Sequence, residues 1–211
     1  TFIRHGSAIS IINKTSEIST LESFAEHVSV LRPFGFRGYF INDELFRSSD
    51  DDLVDPVICY GKGKKIGYVE REEIKFKQEW INNYKVFTPR ANNIGRELND
   101  DNLNTFIGEP NTICTESYIV LGADLKLDKF SAKSLSKYFT TKFVRFLHSL
   151  AKASQDATSK TYKFVPLQNF TKESDIDWSK TIPEIDQQLY SKYNLTKEEI
   201  AFIESMIKPM G

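Results

Sequence analysis

The spacing of apolar residues changes along the chain, and this change limits the fold class more than any other feature. Between residues 38 and 122 apolar residues stand in short runs separated by polar turns, a pattern typical of strands. After residue 131 they recur every three or four residues, as helices require. We therefore expect an α+β fold: a mixed, irregular β-sheet domain braced by a long helix, with a short C-terminal helical pair.

The predicted strands are short. They lie at residues 38–41, 56–60, 66–69, 84–88, 117–122 and 162–166. The run at 117–122 is the most continuously apolar and predicts a buried strand. The sequence Gly61-Lys62-Gly63-Lys64 predicts a tight, basic hairpin turn between two of the strands.

Helical spacing is strongest from Ser131, a candidate N-cap, to about residue 153. A capping box at residues 19–22 predicts an earlier helix that ends near Pro33. Two short helices are predicted in the tail, at residues 183–192 and after the capping box that begins at Thr196.

Composition excludes some classes of protein. No run approaches the ~20 apolar residues that a membrane-spanning helix needs. The two cysteines, Cys59 and Cys114, predict buried apolar residues in a reducing, cytoplasmic compartment rather than a zinc site. The net charge is −1, so no global field favours nucleic acid, but basic residues concentrate at 60–97 and 140–164. That distribution fits either a two-faced molecule or an ordinary charged surface.

Motifs for several chemistries are missing from the sequence. There is no glycine-rich loop for S-adenosylmethionine, no Asn-Pro-Pro-Tyr turn for a flipped adenine, no phosphate-binding loop of nucleotide triphosphatases and no Gly-x-Ser-x-Gly elbow. An acid followed by an acid-x-Lys triplet does occur, at Asp55 and Glu73-Ile74-Lys75. It keeps open the alternative of a metal-dependent restriction nuclease. A protein-interaction module is a further alternative.

Several sequence blocks, in a consistent order, resemble one protein family. They are RPFGFR at 32–37, YKVFTPRA at 84–91, EPNTICTESYIVLG at 109–122, TKFVRFL at 141–147, QDAT at 155–158, FVPLQ at 164–168, LYSKYNLT at 189–196 and FIESMIKPM at 202–210. The blocks resemble the C-terminal target-recognition (TaqI-like specificity) region of bacterial, bifunctional-type restriction–modification adenine-specific DNA methyltransferases. The opening RHGSAISI at 4–11 is similar to the junction that follows the catalytic domain in that family.

The resemblance implies that this chain recognises double-stranded DNA and is itself non-catalytic. Residues 1–18 would be the remnant of a linker to a missing N-terminal methyltransferase domain, which would hold the S-adenosylmethionine. Residues 19–170 would form the DNA target-recognition domain, and residues 171–211 a helical tail. No cofactor is expected in the chain itself, and the parent enzyme is expected in the bacterial cytoplasm.

Recognition of DNA needs cations for phosphates and amides or guanidinium groups for base edges. Three loops offer such groups. The hairpin offers Lys62, Lys64 and Lys65; the segment after the fourth strand offers Arg90, Asn92, Asn93 and Arg96; the polar gap after the long helix offers Lys152, Gln155, Lys160 and Tyr162. The alternative for each is an ordinary surface turn. His148 and the aromatic residues of the long helix are expected to be structural.

Overall fold

The structure is a computed structural model that describes residues 6–19, 22–92, 94, 104–154 and 156–208. It confirms the α+β class. The helices are α1 (Gly6–Ile18), α2 (Gln78–Ile81), α3 (Lys129–Thr140), α4 (Lys142–Ala151), α5 (Ile182–Lys192) and α6 (Lys197–Met206). The strands are β1 (Pro56–Tyr60), β2 (Ile66–Glu70), β3 (Lys85–Pro89), β4 (Phe106–Gly108), β5 (Thr112–Cys114) and β6 (Tyr118–Leu121).

The strands form two three-stranded sheets. The outer sheet has the order β2-β1-β5, with β1 and β2 antiparallel and β1 and β5 parallel. The predicted hairpin between β1 and β2 is confirmed, and Gly63 occupies the left-handed region there with a φ of 68°. Both cysteines lie in this sheet and are buried, as expected for small apolar residues.

The central sheet, β4-β3-β6, is antiparallel and separates two hydrophobic cores. Alternate residues of β3 point to opposite faces, so that Val86 joins one core and Phe87 the other. In β6, Ile119 and Leu121 likewise face away from Tyr118 and Val120. Burial on both faces explains why residues 118–121 form a continuous apolar run.

A helical layer, made of α1 and α3 to α6, covers one face of the central sheet. The single long helix expected from Ser131 is wrong, because Thr141 has extended backbone angles and divides it into α3 and α4. The Thr141 hydroxyl caps α4 by accepting from the Val144 N–H at 3.2 Å. The N-cap of α3 is Asp128 rather than Ser131.

Three other predicted elements are also wrong. Residues 38–41, predicted as a strand, lie in the 3₁₀ turn Gly38–Asn42. Tyr162, the first residue of the last predicted strand, is instead the last residue of the 3₁₀ turn Ser159–Tyr162. The helix expected after residue 19 is only the 3₁₀ turn Phe24–His27. It ends early because the Ser29 N–H donates to the Val120 carbonyl at 2.8 Å, which holds the chain extended beside β6. Two residues of its capping box, 20 and 21, lie outside the described residues.

The ends of the chain pack into the helical layer. Ile11 of α1, Ile185 of α5 and Ile203 of α6 belong to the same core as α3 and α4. Lys14 joins α1 to α6 through a 2.7 Å ion pair with Glu199. Residues of the expected linker remnant and of the expected tail therefore share one core with the helices between them. Within the described part of the chain, no helix combines the length and apolar character that crossing a membrane requires.

Candidate nucleic-acid interface

An open cleft of about 700 Å³ lies between the β1–β2 hairpin and the end of β3. Its lining residues are Lys62, Gly63, Lys64, Pro89, Arg90, Ala91, Asn104, Ser117 and Tyr118. We call this the basic cleft, since its described lining contains three cationic side chains and no carboxylate. Lys62 and Lys64 come from the hairpin, whereas Arg90 comes from a separate segment after β3.

The central sheet holds the hairpin in place. The backbone N–H of Lys64 donates to the hydroxyl of Tyr118 at 2.9 Å, and the Lys64 ammonium lies 4.6 Å from the centre of the Phe106 ring. Burial raises the pKa of Tyr118, so that its hydroxyl stays protonated. The hairpin lysines are thus attached to the same sheet that carries Arg90.

Arg90 is fixed by its backbone and has a partly free side chain. Its N–H donates to the Ser117 carbonyl at 3.0 Å, and its carbonyl accepts from the Ala157 N–H at 2.7 Å. The guanidinium Nε lies 3.7 Å from Asp156, and 53% of that aspartate side chain is exposed. Such an exposed ion pair is weak, so the guanidinium keeps donors for a ligand.

Lys65 belongs to the hairpin but turns away from the basic cleft. Its ammonium donates to the Ile41 carbonyl at 3.2 Å and lies over the Phe46 ring. Lys160 is exposed on the 3₁₀ turn Ser159–Tyr162, outside the lining of the cleft. Neither lysine lines the basic cleft with Arg90.

Two of the residues predicted to contact DNA, Asn92 and Tyr162, are instead buried. The exposed fraction of Asn92 is 1%, and that of Tyr162 is 2%. Neither side chain reaches the surface where a duplex could lie. Lys152 is directed inward as well, since its ammonium donates to the Asn92 carbonyl at 2.9 Å and to the Asn92 Oδ1. Asn93, Arg96 and Gln155, the other predicted contacts, lie outside the described residues.

His148 is structural, as expected. Its ring packs against Tyr162 at a tilt of 31°, with 4.1 Å between the ring centres. Burial, assisted by the nearby charge of Lys152, lowers the pKa of His148 to about 3. The imidazole therefore stays neutral and acts as part of the packing beneath the 90–92 segment.

Two of the three predicted nuclease residues, Asp55 and Lys75, are engaged in other contacts. The Asp55 carboxylate binds Arg71 at 2.6 Å, and the Lys75 ammonium donates to the Glu72 carbonyl. Glu73 lies in the 3₁₀ turn Arg71–Glu73 rather than on a strand. Across the ranges that the structure describes, no three His, Cys, Asp or Glu residues form a group suited to a metal ion.

Ser117, Tyr118 and Asn104 also line the basic cleft, although the sequence does not single them out as contacts. The sequence predicts Ser117 and Tyr118 only as the first two residues of the buried strand 117–122. The polar residues that precede that strand were the available signal, because strand ends are where side chains emerge from a core.

The basic cleft suits a polyanionic ligand. Ammonium groups bind phosphates as point charges, and a guanidinium offers a planar pair of donors to a phosphate or a base edge. The hydroxyls of Ser117 and Tyr118 add neutral hydrogen-bonding groups. Comparisons with protein families and with curated proteins find no match for this chain.

Proposed function

We propose that this chain is the DNA target-recognition region of a bacterial restriction–modification adenine-specific methyltransferase, and that the basic cleft holds double-stranded DNA. One observation carries the proposal: Lys62, Lys64 and Arg90, from two separate segments, line the same cleft. Two blocks that resemble the family, 84–91 and 109–122, contain β3, β5 and β6 and supply Arg90, Ser117 and Tyr118 to the cleft.

The roles follow from the chemistry of the side chains. Lys62 and Lys64 contact phosphates and release counterions, which makes the binding sensitive to salt. Arg90 reads a base edge in the major groove, where guanine O6 and N7 match the two donors of a guanidinium. Methyl transfer belongs to a separate domain that binds S-adenosylmethionine in the bacterial cytoplasm, and this chain contributes recognition alone.

The phosphate role is tested with a labelled DNA duplex two helical turns long, titrated with the 211-residue chain at several salt concentrations. We expect the Lys62→Ala/Lys64→Ala variant to lower the slope of log affinity against log salt by about two. Lys133→Ala/Lys197→Ala removes two exposed lysines from the helical layer and is the matched control. Absence of duplex binding by the unsubstituted chain, or equal slopes for the two variants, contradicts the proposal.

The base-reading role is tested with Arg90→Lys, which keeps the charge but loses the planar pair of donors. Selection from a pool of randomised duplexes should give a consensus with the unsubstituted chain. With the variant, one position of that consensus should become degenerate, at a loss of about 1–3 kcal/mol of discrimination. An unchanged consensus would remove Arg90 from base recognition.

A further inference from the structure

The Arg90–Asn92 segment is held between two parts of the molecule. On one side the Arg90 N–H bonds to Ser117, just before β6. On the other side the Arg90 carbonyl accepts from Ala157, and Ala91 forms an isolated antiparallel bridge with Asp156. The direction in which the Arg90 side chain leaves the backbone thus depends on the chain that follows α4.

Lys152 adds a third support from below. It is the C-cap of α4, and its ammonium reaches both the carbonyl oxygen and the Oδ1 of Asn92. Hydrogen bonds from a charged donor are stronger than neutral ones, and partial burial strengthens them further. One side chain therefore fixes both the main chain and the side chain of the residue two positions after Arg90.

Lys152 itself is half-buried, and the side chains that surround its ammonium are buried. Its charge acts on the ring of His148, and that ring packs against Tyr162. Asn92, His148 and Tyr162 are each at most 2% exposed. Asn92, Lys152 and Tyr162, which the sequence suggested as DNA contacts, thus form the support beneath the contact surface.

We propose that Lys152 is a positioning residue of the basic cleft: from the end of α4 it holds Asn92, and through it Arg90, in the conformation that presents the guanidinium to DNA. The ammonium itself does not touch DNA. This inference rests on the proposed function of the cleft, and it assigns to α4 the task of setting the position of the recognition segment.

The first test needs no DNA. Amide hydrogen exchange is measured for Arg90 and Ala157 in Lys152→Met, with Lys137→Met as the matched control. Lys137 lies in the last turn of α3 and, like Lys152, binds backbone oxygens of a distant segment. Its ammonium donates to the Trp178 and Lys180 carbonyls at 2.9 and 2.7 Å. We expect exchange at both amides to become roughly tenfold faster in Lys152→Met only. Unchanged exchange, or an equal change in the control, overturns the proposal.

The second test separates positioning from direct contact. Lys152→Met should bind the duplex about tenfold more weakly with an unchanged salt slope, whereas loss of a phosphate contact lowers the slope by about one. A slope lowered by one therefore overturns the proposal. If the unsubstituted chain does not bind the duplex, the proposed function fails, while hydrogen exchange still decides whether Lys152 holds the segment.

Substitution of the acceptor gives an independent check. The Asn92 Nδ2 has no hydrogen-bond partner among the described residues, so Asn92→Asp retains the acceptor for Lys152 and loses no contact that the structure shows. We expect Asn92→Asp to bind the duplex as the unsubstituted chain does, and Asn92→Leu, which keeps only the main-chain acceptor for Lys152, to bind it more weakly. Normal binding by Asn92→Leu would show that the contact between Lys152 and the Asn92 side chain does not position the cleft.

Discussion

The two faces of the central sheet are built differently, although they share the same strands. The helical layer packs a large apolar core with helices that cap one another, as when Asp186 accepts from the backbone N–H groups of Lys142 and Phe143. The outer-sheet side has a smaller core and bears the basic cleft. The helical layer therefore supplies a base, while the outer sheet and the end of β3 form the surface available to a ligand.

On each side a buried ionisable group binds backbone groups: Lys85 on the outer-sheet side and Asp186 on the helical side, which have opposite charge when ionised. On the outer-sheet side, the Lys85 ammonium donates to the carbonyl oxygens of Trp80, Ile81 and Asn83 at 2.9–3.1 Å. On the helical side, Asp186 performs the equivalent task at the N-terminus of α4. The two sides can therefore be separated experimentally by pH as well as by truncation of their cores.

Truncation of a core aromatic residue should have the largest effect. Phe87→Ala removes a fully buried ring from the outer-sheet core and should lower the free energy of unfolding by about 3–5 kcal/mol. Phe139→Ala is the counterpart in the helical core. Hydrogen exchange should accelerate mainly in β1, β2 and β5 for the first variant and mainly in α3 to α5 for the second. Identical patterns would mean that both sides open as one unit.

The lowered pKa of Lys85 should make the protein more stable as the pH rises above 7. Burial lowers the pKa of Lys85 to about 7, below the ordinary 10.5 that it recovers on unfolding. Between those values the unfolded chain binds more protons, so this group should raise the free energy of unfolding by about 1.4 kcal/mol per pH unit. Denaturant titrations from pH 7 to 10 measure the slope, and Lys85→Met should flatten it. An equal slope in the variant would assign the effect to another group.

Asp186 should make the free energy of unfolding fall with rising pH, over a lower and narrower pH range than Lys85. Burial raises its pKa from 3.8 to about 6, although the two backbone N–H groups oppose the shift. Between pH 4 and 6 the folded chain binds more protons, so the contribution falls with rising pH by at most about 1.4 kcal/mol per unit. Denaturation of Asp186→Asn over this range should lack that decline. A decline that persists in the variant would point to a different carboxylate.

The sequence predicted the regular parts of the fold better than the cleft. Strands β1, β2, β3 and β6 and the tail helices follow local patterns of apolar spacing and capping, which a single sequence carries. The break at Thr141 depends partly on Asp186, a residue 45 positions away, and the extended chain at Ser29 depends on β6. Such long-range backbone bonds override local preference and have no local signature.

The residues of the basic cleft were also only partly predictable from the sequence. Lysines in a glycine-containing turn identified the hairpin part of the cleft, and an arginine after a strand identified the other part. The direction of a side chain was not predictable, because the contact that turns Lys65 towards Ile41 or Lys152 towards Asn92 comes from a distant segment. Residue type thus located the cleft, whereas tertiary packing decided which of its residues face outward.

Two glycines with the same backbone conformation allow the finest comparison between the two sides. Gly63, in the hairpin, and Gly122, after β6, both have a φ of 68°. A Cβ at Gly63 would meet nothing within 4 Å, whereas at Gly122 it would lie 2.7 Å from Leu135 Cδ2. Gly63→Ala should therefore lower the free energy of unfolding by the backbone strain alone, about 1–2 kcal/mol.

Gly122→Ala adds a clash with the helical core to the same backbone strain. The clash should make this variant less stable than Gly63→Ala by a further ~1–3 kcal/mol, as denaturant titration would show. Combining Gly122→Ala with Leu135→Ala removes the clashing methyl group and serves as the control. If the clash is the cause, the double variant should lose less stability than the sum of the losses in the two single variants. Equal stability of the two single alanine variants would mean that Leu135 moves aside easily, and that the helical layer is no more closely packed than the hairpin.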